Sequence, residues 1–205
     1  MITAVIGRDI RRGLGGGAWL PIAFFLLVAA LVPFAIGPDA RLLSRIGPGA
    51  LWIAALTAAL LPVERLIEPD RASGTLDQLF LHGMADESIA FAKILAHWIT
   101  FAPLLLIAAI PGAVLLSMDG QSLVKIELAL LAGTPGLASL ALAIGALTAG
   151  LPRAGSLAGL LLLPFAVPLL VFGAAGALPL EAAVSLFLTA GAVFVAAAAI
   201  RASRT

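Results

Sequence analysis

Six apolar runs, at residues 19–36, 47–63, 94–118, 128–151, 155–178 and 182–200, occupy most of the sequence. Each is close to the roughly 17–25 residues a helix needs to cross the hydrocarbon core of a bilayer. Inside that core every backbone polar group must find its partner within the segment, so the expected fold is all-α. The composition agrees: 62% of the 205 residues are hydrophobic and only 11% are charged, too few polar groups to cover a soluble surface of this size. The reading is a polytopic membrane protein with six transmembrane helices in one domain over residues 1–205.

The first 17 residues place Ile2, Val5, Ile6 and Ile10 on one helical face and Arg8, Arg11 and Arg12 largely on the other. That is the pattern of a short basic helix lying in the membrane interface. A secretory signal is the competing reading, with Ala35-Ile36-Gly37 as its cleavage site. The apolar run before it is longer than a signal needs, so a retained first span is expected.

Six spans return both termini to one side, and the basic residues decide which. With the N-terminus inside, the inner segments hold Arg8, Arg11, Arg12, Arg65, Arg71, Lys93, Arg153, Arg201 and Arg204, while the outer loops hold Arg41, Arg45 and Lys125. This imbalance predicts an N-in, C-in topology. Pro164 and Pro168 interrupt the fifth run, so part of 169–178 is open to a re-entrant path. Gly155 and Gly159 form a G-x-x-x-G pair of the kind that lets helices approach closely. No charge falls well inside any run, which argues against a proton-coupled carrier.

The least hydrophobic stretch, residues 64–93, carries six of the eleven acidic residues and falls in the cytoplasm on this topology. Thr75-Leu76-Asp77-Gln78 has the form of a capping box, with Gly74 before and Gly83 after as stops. Leu76, Leu79 and Phe80 then share one face of a short amphipathic helix. Such a helix either lies on lipid headgroups or docks on a soluble partner.

Enzyme chemistry finds little support. There is no phosphate-binding Gly-Lys-Ser/Thr loop, no G-x-S-x-G elbow and no cysteine, and His82 and His97 lie too far apart for a zinc site. The net charge of +1 points to no nucleic-acid partner. His97 and Trp98, one turn after Lys93, admit two readings. One is interfacial anchoring, with Trp98 at headgroup depth and His97 reaching outward. The other is an axial ligand or contact for a haem-like substrate, because neutral imidazole is a common iron ligand.

Four segments together resemble one family: Asp70–Leu81 (DRASGTLDQLFL), Ala92–Trp98 (AKILAHW), Gly133–Leu137 (GTPGL) and Leu163–Gly173 (LPFAVPLLVFG). They are similar to the CcmB family, the haem exporter B proteins of cytochrome c maturation. Ser73 stands where an acidic residue is expected, and Asp77 where Glu is usual. The resemblance implies a permease subunit of an ABC transporter in a bacterial inner membrane. ATP would be hydrolysed by a separate CcmA-like subunit, CcmC-like and CcmD-like membrane proteins would associate with it, and haem would be the substrate or travel on a released chaperone. An ABC transporter needs two such domains, so the chain is expected to pair with itself. The implied ATPase-docking residues are Asp70, Thr75, Leu76, Asp77, Gln78, Leu79 and Phe80, with His97 and Trp98 as candidate substrate contacts. No cofactor is expected to reside in this chain. A stand-alone carrier or channel, and a non-transporting scaffold, are the rival readings.

Overall fold

The computed structural model describes residues 1–152 and 154–203; Arg153 and Arg204, which entered the charge count, lie outside the described residues. Every regular element among the described residues is helical: α1 (Ile2–Arg12), a π-helical turn (Gly13–Gly17), α2 (Trp19–Ile36), α3 (Ala40–Leu60), α4 (Val63–Ala72), α5 (Thr75–Leu81), α6 (Asp86–Leu115), α7 (Gly120–Thr148), α8 (Ala154–Ala174) and α9 (Leu178–Ala202). Helices α2, α3, α6, α7, α8 and α9 are long and apolar enough to cross a membrane. The expected six-span, all-α fold is the one observed.

Helices α3 and α7 begin earlier than apolarity suggests, because polar caps rather than hydropathy set their starts. Asp39 accepts from the backbone N–H groups of Arg41 and Leu42, starting α3 well before residue 47. Asp119 accepts from the Ser122 N–H and starts α7 at Gly120 rather than 128. The bonds from Ser122 also hold the Asp119 carboxyl below its usual range. Such side-chain acceptors satisfy amide groups that a helix start leaves open. Helix α8 runs through both Pro164 and Pro168 to Ala174, so the re-entrant path is not taken.

Helix α7 is the centre of the bundle. All residues from Gly133 to Ala146 except Pro135 are buried, and α4, α6, α8 and α9 pack around them. Small residues make this possible, since lipid chains are as apolar as leucine and helices gain mainly by close packing. A Cβ on Gly145 would stand 2.6 Å from the Val63 carbonyl oxygen. The buried Trp52 ring of α3 lies over Gly133 and Gly173, where an added Cβ on either would collide with it. Within the chain the Gly155–Gly159 pair does not form a second seam, since nothing lies within 4 Å of a Cβ built on Gly159.

One acid sits deeper than the sequence reading allows. Glu181, in the first turn of α9, is fully buried and neither carboxylate oxygen has a hydrogen-bond partner. It lies close to Gly133 and Trp52.

Both ends of the chain meet the start of α6. Arg201 of α9 binds Asp86 at 3.2 Å and Glu87 at 3.0 Å, and α1 packs along the same helix. The N- and C-terminal helices therefore close on one end of the bundle, as an even number of spans requires.

Candidate functional site

The stretch 64–93 is not a loop. Helix α3 passes through a two-residue turn into α4, and Gly74 (φ +69°) and Gly83 (φ +84°) bracket α5. Both glycines adopt the left-handed conformation that a side chain disfavours. Gly83 ends α5 as expected. The capping box does not form: Gly74 holds the N-cap position, and the Thr75 hydroxyl pairs with Ser73 Oγ at 2.8 Å.

The residues of α5 divide between two faces. Leu76 is 1% exposed and packs with Val5, Ile67 and Ile89 in the protein's own core, and Leu79 leans on the same cluster. Asp77, Gln78 and Phe80 face outward, Phe80 at 51% exposure, next to Leu81 at 80%. The single apolar face drawn from Leu76, Leu79 and Phe80 is therefore split. A seven-residue helix with leucines at both edges of its stripe gives no sequence signal for which edge turns inward.

Asp70 is turned into the molecule. Its carboxylate accepts from Arg8 at 2.6 Å, Arg12 at 2.7 Å and Lys93 at 2.5 Å. Lys93 is itself buried, and its three N–H donors are satisfied by Asp70, by Asp9 at 3.0 Å and by the Leu66 carbonyl at 3.2 Å. Partial burial opposes the charge on Arg8, but its bonds to Asp9 and Asp70 outweigh this and raise its pKa above the ordinary value. Buried charges persist only when paired and hydrogen-bonded, and here the pairing ties α1, α4 and α6 together. Sequence reading placed Asp70 among exposed docking residues and missed its partners. The available signal was the i,i+4 spacing of Arg8 and Arg12 on α1, together with one lysine near the start of an apolar run.

Beside this cluster lies a cavity of about 530 Å³ between the π-helical turn, α4 and α6. Gly13, Gly15 and Gly17 form one wall, Arg12, Arg65 and Lys93 supply positive charge, and His97 and Phe101 contribute from α6. The close fit of the turn depends on Gly13, whose Cβ would stand 3.1 Å from Thr100 Cγ2. His97 is buried and stacked on Phe101, with ring centroids 5.6 Å apart and planes at 23°. Its Nε2 has no hydrogen-bond partner. The anchoring reading for His97 therefore fails, since the ring does not reach outward. Trp98 turns to a different side of α6, where its Nε1 donates to Thr134 Oγ1 at 3.2 Å.

Six bilayer-length helices, with charged groups, a cavity and a short exposed helix gathered at one end, define a multi-pass integral membrane protein. Residues 1–203 match the family model described as CcmB protein. The chain is 42% identical to Heme exporter protein B of Paracoccus denitrificans over 98% of both chains. It is 44% identical to Heme exporter protein B of Rhodobacter capsulatus over 84% of this chain and 80% of that one. The protein of the same name from Escherichia coli K12 is 41% identical over 76% of this chain and 70% of its own. The chain belongs to the CcmB family.

Proposed function

We infer that this chain is the membrane-embedded permease subunit of an ABC transporter for cytochrome c biogenesis. It couples ATP hydrolysis in a CcmA-like subunit to haem export, or to release of a haem-loaded chaperone. Family membership supports the transport class, and the observation that carries the coupling role is the exposed edge of α5. Phe80 and Leu81 project from a short helix that is braced by its own Leu76 against the core. A helix held this rigidly and presenting two large apolar side chains fits a groove on a soluble partner. The excess of basic residues at this end of the bundle supports a cytoplasmic orientation, in a bacterial inner membrane. Two copies of the chain would complete the transporter, with CcmC-like and CcmD-like proteins beside them.

The test is co-expression with the cognate ATPase, followed by purification in detergent through a tag on this chain. Burying one large apolar side chain is worth about 1.5–3 kcal/mol, and each 1.4 kcal/mol is about a tenfold change in affinity. Phe80→Asp is expected to reduce the retained ATPase at least tenfold, and Gln78→Lys much less. Full retention by Phe80→Asp and Leu81→Asp would refute docking through α5.

A further inference from the structure

Glu181 sits where a membrane bundle least tolerates a charge. It belongs to the first turn of α9, yet it packs against Gly133, midway along α7, and beside Trp52 of α3. At 1.5 Å per residue, α3 and α7 continue about 18–20 Å beyond this junction toward their starts. The turn between α8 and α9, with Ala175 and Gly176 exposed, is therefore recessed between them. Glu181 has no accessible surface and neither carboxylate oxygen has a hydrogen-bond partner. Ionisable side chains inside membranes are rare and mark proton or substrate pathways.

The surroundings offer neither a counter-charge nor room for a metal ion. Helix α8 has no titratable residue, α3 has Arg41 and Arg45 in its first two turns, and α7 has Lys125 and Glu127 in its first three. Helix α6 keeps its titratable residues between Asp86 and His97, in the half that meets the opposite end of α9, where Arg201 lies. Among the described residues, no group of three His, Asp or Glu side chains forms a metal ligand set. The helices are also in close contact. An added Cβ on Gly133 would stand 2.6 Å from Glu181 Oε1, and one on Gly136 would stand 3.0 Å from Ser185 Cα. A carboxylate shut away from water and from any cation takes up a proton instead.

We propose that Glu181 is a proton-binding site, closed around the neutral carboxyl and ionised when the first turns of α9 separate from α7. On separation the carboxyl O–H bond breaks. The proton passes to water entering from the α8–α9 turn, and the electron pair stays on the carboxylate. The indole N–H of Trp52, buried in the same junction without an acceptor, is a donor available to that anion. The closed form holds one proton more than the open form, so rising pH favours opening. Movement of α9 is thereby linked to proton release at the end of the bundle opposite the Asp70 cluster. This linkage holds whatever substrate the chain serves.

The test uses the purified chain in lipid nanodiscs. Infrared spectra of the wild type carrying isotope-labelled glutamate are expected to show, at neutral pH, a neutral-carboxyl carbonyl band that moves with the label. Glu181→Gln should remove a component of that band which Glu127→Gln keeps. Amide hydrogen exchange then measures the opening of residues 181–189, after correction for the intrinsic exchange rate. In the wild type the opening constant should rise about tenfold per pH unit above the ordinary glutamate range, about pH 4.3, until the closed form itself ionises. In Glu181→Gln it should be independent of pH. Carboxylate bands alone in the wild type at neutral pH would overturn the proposal, as would the same pH dependence of opening in both proteins. The wild-type infrared result decides by itself if Glu181→Gln does not fold.

Discussion

Lys93 Nζ, on α6, donates to Asp70 Oδ2, on α4, at 2.5 Å inside the protein, where neither side chain is more than 3% exposed. Arg8 and Arg12 reach the same carboxylate from α1. One acid thus joins three helices that the sequence separates by tens of residues. Removing it would leave a buried lysine and two arginines with only Asp9 to offset them. Breaking a buried pair from one side typically costs about 3–5 kcal/mol, whereas removing both partners costs much less. Asp70→Ala is therefore expected to lower the thermal midpoint in detergent markedly and to expose α1 to protease. Asp70→Ala combined with Lys93→Met should recover part of the loss. Equal midpoints for wild type and Asp70→Ala would show that the cluster does not hold α1.

The split of α5 separates folding from partner binding. Leu76→Ala removes a fully buried side chain, with an expected cost of roughly 2–5 kcal/mol. Leu81→Ala, at 80% exposure, should leave the midpoint within about 0.5 kcal/mol of the wild type. Thermal unfolding of the two variants side by side checks the assignment of faces, and equal destabilisation would contradict it.

Trp52 fits where Gly133 and Gly173 leave room. Gly173→Ala should destabilise by about 1–3 kcal/mol, the usual range for overpacking a filled core. Trp52→Phe in the same chain should relieve the clash. A double mutant no more stable than Gly173→Ala alone would place the strain elsewhere.

Topology is directly accessible because the chain has no cysteine. Ser73→Cys, at the exposed junction of α4 and α5, is expected to react with an impermeant thiol reagent only from the cytoplasm. Gln121→Cys, exposed at the start of α7, should react only from outside. It is preferable to Asp119→Cys, which would remove the cap of α7. Reversed labelling would move α5 away from any cytoplasmic ATPase.

Legibility followed the range of the interactions. The six spans, the basic amphipathic N-terminal segment, the glycine stop at Gly83 and the kinship carried by residues 70–81 and 92–98 were all readable in the sequence. Each depends on local apolarity, local backbone freedom or contiguous residues. Helix starts were misjudged where Asp39 and Asp119 cap polar turns, because hydropathy does not register a hydrogen bond.

Tertiary structure alone decided which way the ambiguous side chains turned. Asp70 read as an exposed docking residue, yet it is buried with Lys93 because α1 folds back and supplies Arg8, Arg12 and Asp9 to satisfy them. His97 admitted an anchoring and a ligand reading; its ring is buried on Phe101, beside a cavity that exists only once the glycine-rich turn packs beside α6. Glu181, one residue outside the sixth apolar run, became a fully buried acid through the packing of α3, α7 and α9. A one-dimensional pattern states how much apolar surface a segment must hide. The contacts between segments determine where its few polar atoms find partners, and those contacts arise only when the helices assemble.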